Sequence, residues 1–315
     1  ISSKTAMEVV PKIPTIYDEP FSDSSQIPTF LVSELAKQQV KVALSGDGGD
    51  ELFCGYNRHV MSKKFSNIFR LVPISFRKTL SSGLHSISPQ SWNKISTLLP
   101  GLKNHTNFGD KIHKFGYALK AKTLYDLYYI LRSHWQNPTE VVIDSKEPGT
   151  FLTQFRPNLH KLNIQQQMMV LDTLTYLPDD ILVKVDRASM ASSLETRAPF
   201  LDHKLIEYVW KIPHALKFKN GQGKWILKKI LNKYVPSNLT ERPKMGFGVP
   251  LDIWLRGPLR DWAENLLNEK RLKHDGYFTE KLIRDKWKEH LSGKQNWQDL
   301  LWNVLMFQAW IDKND

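Results

Sequence analysis

The sequence predicts an α/β fold with a parallel sheet, and two neighbouring features carry that prediction. The apolar run at residues 40–44 is typical of a buried strand, and the glycine-rich turn at residues 45–51 follows it directly. Leu52, Phe53 and Tyr56 then begin a segment that is typical of a packed helix. A strand that enters a glycine-rich turn and then a helix is a common ligand-binding corner of parallel α/β sheets.

The charge of this turn is unusual, because it carries three carboxylates within five residues, at Asp47, Asp50 and Glu51. A simple phosphate cradle uses backbone N–H groups and a lysine. Carboxylates repel phosphate unless a divalent cation lies between them. The turn therefore predicts a site for Mg²⁺ and polyphosphate, with Asp47 and Asp50 facing the ligand. The alternative is that Asp50 only caps the following helix.

Size and composition place few limits on the architecture. A chain of 315 residues, 41% of them hydrophobic, can bury a substantial core as one large domain or two smaller ones. No apolar run approaches the length of a membrane span. Cys54 is the single cysteine, which excludes an internal disulfide and fits a reducing cytoplasm. Its thiol is expected to be a buried small side chain.

The excess of basic residues is concentrated in residues 60–125, which carry a net charge of +10 with Asp110 as the only acid. Such a segment could bind nucleic acid or another anionic partner. The favoured interpretation is a solvated helical face, because the aromatic residues between these positions are spaced irregularly, as core residues are. We therefore expect only weak, salt-sensitive binding to polyanions and no specific nucleic-acid recognition.

Helical periodicity organises most of the remaining chain. Residues 27–39 are predicted to form a helix with Phe30, Leu31 and Leu35 on one face. Further predicted elements are short helices between residues 56 and 135 that Pro73, Pro89 and Pro100 interrupt, a loop-rich stretch at 136–164, a helix at 162–176 and tryptophan-rich packing helices in the last 65 residues.

A dense motif at residues 176–202 predicts another helix. Pro178 suits the first turn, and Asp179 and Asp180 suit the positive end of the helix dipole.

Two charged pairs follow in the same motif. Asp186 and Arg187 are predicted to lie among apolar neighbours, where buried charges need partners. Glu195 and Arg197 are expected to pair with each other or with this helix. The alternative is that Glu195 helps to form a substrate pocket.

A third motif, residues 219–224, is predicted to enter a helix at residues 225–234. Glycines at a helix start together with Lys224 favour binding of a phosphate. The motif complements the acidic turn, because a metal ion on one side and a lysine on the other would hold a triphosphate. Arg242 and Lys244, in a predicted loop, could face the same site.

Four segments in order, residues 18–29, 45–51, 177–202 and the pair Gly223-Lys224, resemble the synthetase domain of glutamine-dependent asparagine synthetases. The resemblance covers most of the chain and is weakest between about residues 60 and 160.

The resemblance implies an ATP-pyrophosphatase (adenine-nucleotide α-hydrolase-like) α/β fold with a parallel sheet and helical additions. It implies one synthetase domain over residues 1–315, with a basic helical excursion at about 60–135. The implied activity is ATP-dependent amidation of aspartate through a β-aspartyl adenylate, with ATP and Mg²⁺ as cofactors. Ammonia would come from glutamine through an upstream glutaminase domain, in a cytoplasmic enzyme compatible with a homodimer.

The resemblance also implies roles for individual residues. Carried over by motif position, the catalytic residues are Asp47, Glu195 and Lys224, the nucleotide-binding residues are Ser45, Gly46, Gly48 and Gly223, and the metal ligand is Asp50. Asp47 stands where well-known members carry glutamate, so the reach of its carboxylate is shorter. Cys54 stands where a glycine is usual.

Two family features do not occur in residues 1–315: the glutaminase domain with its catalytic cysteine, and the Ser-Gly-Gly-x-Asp-Ser loop that wraps pyrophosphate. We therefore expect a piece of a longer synthetase that is inactive in isolation. The alternatives are a relative that amidates another carboxylate, such as a sugar acid, or closes a β-lactam ring, and a remnant without catalytic activity.

Overall fold

The computed structural model describes residues 2–98, 108–154, 157–240 and 247–314, and helices dominate these parts of the chain. The helices, in chain order, are α1 (Ser3–Met7), α2 (Ile13–Ile16), α3 (Gln26–Lys37), α4 (Gly49–Leu52), α5 (Asn57–Leu71), α6 (Ile74–Ser86), α7 (Pro89–Leu98), α8 (Phe108–Leu119), α9 (Leu124–Arg132), α10 (Ile164–Leu171), α11 (Val183–Ala191), α12 (His203–Lys211), α13 (His214–Lys217), α14 (Trp225–Leu231), α15 (Ser237–Thr240), α16 (Leu251–Arg256), α17 (Arg260–Leu266), α18 (Glu269–Asp275), α19 (Glu280–Leu291) and α20 (Gln298–Asn314). The strands are β1 (Val42–Leu44) and β2 (Glu195–Arg197), a π-helix spans Asp172–Leu182, and 3₁₀ turns span Val10–Lys12, Pro138–Glu140 and Pro199–Leu201. Within the described ranges, no helix combines the length and apolarity needed to cross a membrane.

The two strands pair in parallel, as the sequence predicts, with Val42 opposite Glu195 and Leu44 opposite Arg197. Their carboxyl ends therefore share one edge, where the acidic turn begins. The prediction that this strand is buried is wrong, since Leu44 is 75% and Val42 40% exposed. Parallel strands are buried when helices cover both faces of their sheet. Among the described residues the sheet consists of β1 and β2, and these side chains are left open.

By its internal packing the chain divides into two compact units. The first comprises Ile1–Asp18, Asp23–Ile68 and Thr150–Val249, and it contains both strands and all the predicted site residues. The second comprises Glu19–Ser22, Phe69–Gly149 and Pro250–Asp315. The assignment of the whole chain to one synthetase domain, with an excursion at about 60–135, stays a prediction.

In the first unit, α3 packs against α11 next to the strands. The predicted helix is confirmed, and Ile27, Phe30 and Leu31 are buried on its inner face. Leu35 was expected on the same face but is mostly exposed. A helix turns about 100° per residue, so the buried stripe passes through Ile27 and Leu31 and leaves Leu35 at its margin.

In the second unit, α8 packs against α6 and α7, and α20 packs against α16, α17 and α19. The prolines act as predicted, since α6 begins directly after Pro73 and α7 begins at Pro89. Pro100 lies outside the described residues. Trp287 and Trp302 are fully buried, which confirms the packing role of the tryptophan-rich end. Phe76 is one of the irregularly spaced aromatic residues of the basic segment that were interpreted as core residues, and it is mostly exposed.

The motif at residues 176–202 departs from its prediction at its start. Pro178 lies inside the π-helix rather than in a first helical turn. The helix α10 already runs into this segment, so proline does not mark a beginning here. Proline has no N–H for the α-helical ladder and its ring crowds the preceding turn, and the segment is wound with the wider π spacing.

Candidate functional site

The acidic turn begins at the carboxyl edge of the sheet, where close backbone contacts fix its conformation. The Ser45 amide donates a hydrogen bond to the Arg197 carbonyl (2.8 Å), which extends the strand pairing by one residue. Gly48 then adopts a φ of +86° and is the residue from which α4 begins. A Cβ atom at Gly48 would lie 2.6 Å from a methyl group of Leu201. Only glycine fits both the conformation and the space.

The ion pair of Asp50 bears on the alternative that this residue only caps the following helix. Gly48 precedes the helix without a side-chain cap, and the Asp50 side chain is instead ion-paired with Lys224. Asp50 is therefore more than a helix cap.

The second glycine turn docks against the end of the first. The Lys224 amide donates a hydrogen bond to the Phe53 carbonyl (2.7 Å). A Cβ atom at Gly223 would lie only 1.9 Å from the carbonyl oxygen of Cys54, so the two backbones touch at this point. Lys224 itself has a φ of +55° and immediately precedes α14. The predicted helix is confirmed, and the lysine stands just before it rather than in its first turn.

This docking brings the predicted cation and the predicted metal ligand together. The Nζ atom of Lys224 lies 3.0 Å from Oδ2 of Asp50, with about a third and a quarter of the two side chains exposed. Gly55 makes the approach possible, because a Cβ atom there would lie 2.0 Å from Oδ1 of Asp50 and 2.5 Å from Cε of Lys224. The ion pair is therefore accessible on one side and supported by backbone on the other.

Among the other predicted residues of the acidic turn, Gly46 has open space beside it, whereas Ser45 and Asp47 are more enclosed. A Cβ atom placed on Gly46 would meet nothing within 4 Å. The Ser45 hydroxyl is buried and has no hydrogen-bond partner within the described parts of the chain. Asp47 is half-buried on the same turn. These features suit a ligand that lies along the turn.

Glu195, the third predicted catalytic residue, lies elsewhere on the sheet. It begins β2, whereas the acidic turn adjoins the other end of that strand, about 7 Å further along. Its carboxylate accepts a hydrogen bond from Nε of Arg197 (2.7 Å), and both side chains are exposed. The expected pairing of these two residues is confirmed, and the geometry does not bring Glu195 to the Asp50–Lys224 pair.

The prediction that Asp186 and Arg187 are buried among apolar neighbours is wrong. Both are exposed, and Arg187 pairs with Asp186 (3.3 Å) and with Asp18 (2.6 Å). The helix is rotated so that it buries Lys184, Ala188 and Ser189 instead.

A polar network that adjoins the acidic turn was not predicted from the sequence. Nε and Nη2 of Arg58 donate to both carboxylate oxygens of Asp172 (2.7 to 3.0 Å), and Nε2 of His59 lies 2.6 Å from the same group. The Tyr56 hydroxyl donates to Glu51 (2.6 Å), and its ring lies 3.8 Å from the Arg58 guanidinium carbon. No spacing rule connects residues so far apart, although the cluster Tyr56-Asn57-Arg58-His59 is itself a polar signal beside an apolar run.

Burial controls the ionisation of this network. It raises the pKa of the Glu51 carboxyl, against the hydrogen bond from Tyr56. Burial likewise lowers the pKa of His59, which favours the neutral ring. Burial alone would raise the pKa of Asp172, but the contacts with His59 and Arg58 reverse that effect and lower it. Asp172 therefore remains an anion that fixes α5 to the π-helix.

A second missed cluster joins the segment at residues 18–29 to α11. Nζ of Lys184 lies 2.6 Å from Oδ2 of Asp23 and 3.7 Å from Oδ1 of Asp180. Burial would raise the pKa of Asp23, but the charge of Lys184 overrides it and brings the pKa to about 2. The Tyr17 hydroxyl donates to the Lys184 carbonyl (3.3 Å).

The carboxylates of the acidic turn fit a Mg²⁺ ion that is held jointly with the phosphates of a substrate better than an ion bound by protein side chains alone. No group of three or more metal-ligating side chains stands together in the described ranges. Mg²⁺ is commonly held by one or two carboxylates together with the phosphates of a substrate, and Asp47 and Asp50 could supply those carboxylates. Cys54 is buried, and burial raises its pKa to about 12, so its thiol is a packing group. The predicted cations Arg242 and Lys244 lie outside the described residues.

Comparison with known proteins agrees with these features. The asparagine synthase family profile matches residues 1–312. Asparagine synthetase [glutamine-hydrolyzing] 1 of Bacillus subtilis (strain 168) is 33% identical over 321 residues, which cover 100% of this chain and 47% of the relative. A putative asparagine synthetase [glutamine-hydrolyzing] of Mycobacterium tuberculosis (strain ATCC 25618 / H37Rv) is 30% identical over 318 residues, covering 98% and 45%.

More distant similarity reaches an enzyme with a different name. Amidase chyE of Penicillium rubens is 23% identical over 263 residues, covering 78% of this chain and 38% of the relative. The chain thus spans about half the length, or less, of the curated relatives it matches. On the family profile and the two synthetases, the chain belongs to the asparagine synthase family.

Proposed function

We propose that this chain carries part of the synthetase half of an enzyme that amidates aspartate to asparagine. ATP would activate the side-chain carboxylate as a β-aspartyl adenylate, and ammonia from glutamine would displace AMP. The observation that carries the proposal is the partly exposed Asp50–Lys224 pair, formed where two glycine turns touch. Membership of a family of ligases supports the reaction class.

The chemistry assigns complementary tasks to this pair. A carboxylate is a poor electrophile, and adenylation supplies the leaving group that ammonia needs. Lys224 would hold the charge that develops on the transferring phosphoryl group. Asp50 would bind Mg²⁺, which neutralises charge on the departing pyrophosphate when it is present. Asp47, half-buried on the same turn, would act on formation and use of the adenylate.

The nucleotide contacts in the proposal follow the acidic turn. The buried Ser45 hydroxyl would donate to the nucleotide, and Gly46 leaves room for a ligand at backbone distance. Gly48 and Gly223 would act indirectly, because each is required by close packing rather than by the ligand. Glu195 would act from the end of β2 that lies away from the turn, and its carboxylate would have to exchange its contact with Arg197 for one with the substrate.

The proposal extends to the fold and to the source of ammonia. We infer an ATP-pyrophosphatase type of sheet, of which β1 and β2 are two parallel strands. The named relatives are glutamine-hydrolyzing synthetases of about twice this length, which supports a glutaminase domain acting with this chain. A homodimer and a cytoplasmic location belong to the same proposal.

The second candidate is amidation of a different carboxylate. The similarity to a protein named as an amidase supports this second candidate. Exchange of labelled pyrophosphate into ATP, measured in the complete protein with aspartate, glutamate or a sugar acid, separates the two. Aspartate-dependent exchange supports the first candidate, and exchange that only another acid supports selects the second. Exchange with none of the acids, in a folded protein supplied with Mg²⁺, contradicts both.

The matched variants for that assay are Lys224→Ala and Lys228→Ala. Both remove a lysine from the same short stretch, but Lys228 is exposed on α14. The proposal expects exchange to fall in the first variant and to persist in the second.

A further inference from the structure

Asp50, the proposed metal ligand, stands on α4, a helix of a single turn. This helix spans Gly49–Leu52 and has no side-chain cap at its start. One helical turn has little stability of its own, because fixing its first residues costs more than its few hydrogen bonds return. The direction in which Asp50 presents its carboxylate therefore depends on contacts that residues outside α4 make with this turn.

The loop between α4 and α5 supplies two such contacts. The Gly55 amide donates a hydrogen bond to the backbone carbonyl of Asp50 (2.8 Å). The Tyr56 hydroxyl donates to Oε1 of the next residue, Glu51, whose side chain is almost fully buried (2.6 Å). That length is typical of a hydroxyl bound to an ionised carboxylate, which is one of the stronger hydrogen bonds in proteins. The loop thus holds α4 through the backbone of Asp50 and through the side chain of its neighbour.

Tyr56 is itself held from the other side. The Arg58 guanidinium carbon lies 3.8 Å from the centre of the Tyr56 ring and 4.7 Å from the centre of the Tyr176 ring. The same guanidinium donates to both carboxylate oxygens of Asp172. Asp172 and Tyr176 belong to the π-helix, against which α4 also packs. Tyr56 therefore connects the turn that carries the metal ligand to a buried and paired charge.

The loop that ends at Tyr56 also supports Lys224. Its Phe53 carbonyl accepts a hydrogen bond from the Lys224 amide (2.7 Å). A Cβ atom at Gly55 would lie 2.0 Å from Oδ1 of Asp50 and 2.5 Å from Cε of Lys224, so both charged side chains rest on this glycine. Tyr56 follows Gly55 directly. A hydrogen bond that fixes Tyr56 thus fixes the surface on which the Asp50–Lys224 pair lies.

We propose that Tyr56 is a positioning residue for the divalent cation: its hydrogen bond to Glu51 orients α4 so that Asp50 meets the ion in the direction that binding requires. The inference rests on the proposed function, in which Asp50 binds Mg²⁺ jointly with the phosphates of ATP. Replacing a group that orients a metal ligand without touching the ion commonly changes metal affinity or activity by about 10- to 100-fold. A merely structural role for Tyr56 would change stability and leave metal affinity as it is.

The test is binding of Mn²⁺, which takes the same oxygen ligands as Mg²⁺ and is detected by electron paramagnetic resonance. The complete protein is titrated with Mn²⁺ in the presence of an ATP analogue that carries a methylene group between its α- and β-phosphorus atoms, so no turnover is needed. Tyr56→Phe removes one hydroxyl and keeps the ring that stacks on Arg58. It should weaken Mn²⁺ binding by about 10-fold or more. Wild-type affinity in folded Tyr56→Phe would overturn the proposal.

Tyr129→Phe is the matched control. The Tyr129 hydroxyl donates to Glu147 (2.9 Å) in the second unit, so this variant also loses one hydrogen bond from a tyrosine to a carboxylate. Its Mn²⁺ affinity should equal that of the wild type. An equal loss of Mn²⁺ binding in both variants would show an unspecific effect and would overturn the assignment to Tyr56.

A double-variant cycle tests whether Tyr56 acts through Glu51. Residues that act through one hydrogen bond are not additive, so Tyr56→Phe should weaken Mn²⁺ binding no further in a Glu51→Leu background. Additive losses would overturn this route. The double variant removes both partners of the bond and leaves neither of them buried alone. If Tyr56→Phe alone does not fold, wild-type Mn²⁺ affinity in the double variant overturns the proposal.

Asp50→Asn separates this inference from the proposed function. If Asp50→Asn weakens Mn²⁺ binding and Tyr56→Phe does not, the inference fails and the metal assignment stands. If Asp50→Asn leaves Mn²⁺ affinity unchanged, the metal assignment in the proposed function fails and the role of Tyr56 fails with it. The expected result is weaker binding in both variants, with Tyr129→Phe at the wild-type value.

Discussion

Nζ of Lys224 lies 3.0 Å from Oδ2 of Asp50, although the two residues come from separate turns. The contact exists because Gly223 lies against the carbonyl of Cys54, and because Gly55 leaves room beneath both side chains. A cation and a carboxylate that are supported by backbone on one side and open on the other can each turn to a ligand. This arrangement is the basis of the proposed reaction.

Replacing Lys224 with alanine should slow adenylate formation more than it weakens ATP binding. The charge on the transferring phosphoryl group changes most in the transition state, so a lysine that holds it acts mainly on the rate. The expected loss is about 10²-fold or more. Pyrophosphate exchange and nucleotide binding, measured on the same preparation, check the split, with Lys228→Ala as the control. An exchange rate close to wild type would remove Lys224 from the mechanism.

The two acids of the turn should respond differently to magnesium. Asp50→Asn should raise the Mg²⁺ concentration that gives half-maximal rate, because a neutral amide is a poorer ligand for a hard cation. Asp47→Asn should lower the rate even at saturating Mg²⁺. Titrations of exchange rate against Mg²⁺ compare the variants directly. Identical curves for both would show that the division of roles between the two acids is wrong.

Substitution by alanine should change the stability of the protein in opposite directions at Gly223, where the two turns dock, and at Gly83. At Gly223 the added carbon would lie 1.9 Å from a backbone oxygen, so Gly223→Ala should destabilise the protein by about 1–3 kcal/mol or more. At Gly83, inside α6, the added carbon meets nothing within 4 Å, and Gly83→Ala should stabilise by up to about 1 kcal/mol. Urea unfolding measures both. A neutral Gly223→Ala would mean that the turns do not touch as described.

The local elements could be predicted from the sequence because short-range sequence patterns determine them. The strand before Ser45, the helix at Gln26–Lys37 and the proline-bounded helices all follow from periodicity and breakers. The exposure of Leu44 could not be predicted from the sequence, since it depends on which elements cover the sheet. The role of Gly55 was also hidden, because its requirement comes from Asp50 and Lys224 meeting above it.

The site was predicted only in part, because some of its contacts depend on long-range packing. Motif position identified Asp50 and Lys224, and the fold brings them together. The same reasoning named Glu195, which begins β2 at the end away from the turn and whose carboxylate pairs with Arg197. The bidentate contact of Arg58 with Asp172 depends on long-range packing, and no local pattern marks such partners.

The Asp23–Lys184 pair should give stability a specific acid dependence. The pKa of Asp23 is about 2 in the fold, against an ordinary value of 3.8. A lowered pKa stabilises the fold above the ordinary value, and that contribution disappears as the pH falls from about 4 towards 2. Asp23→Asn should therefore cost about 2 kcal/mol at neutral pH and flatten this acid limb.

Urea unfolding across that pH range compares Asp23→Asn with Asp18→Asn. Asp18 is largely exposed beside Arg187, where an ion pair contributes about 0–1 kcal/mol. Equal acid limbs in wild type and Asp23→Asn would contradict the assigned role of the Lys184 contact.

The most direct test of the central claim follows an oxygen atom. Aspartate labelled with ¹⁸O in its side-chain carboxylate is given to the complete protein with ATP, Mg²⁺ and glutamine, and the phosphorus products are examined by mass spectrometry. If the Asp50–Lys224 site supports attack of that carboxylate on the α-phosphorus, one ¹⁸O atom appears in AMP for each asparagine formed, and none in inorganic phosphate or pyrophosphate. Label in inorganic phosphate, with ADP as the other product, would show that activation occurs at the γ-phosphorus and would contradict the account.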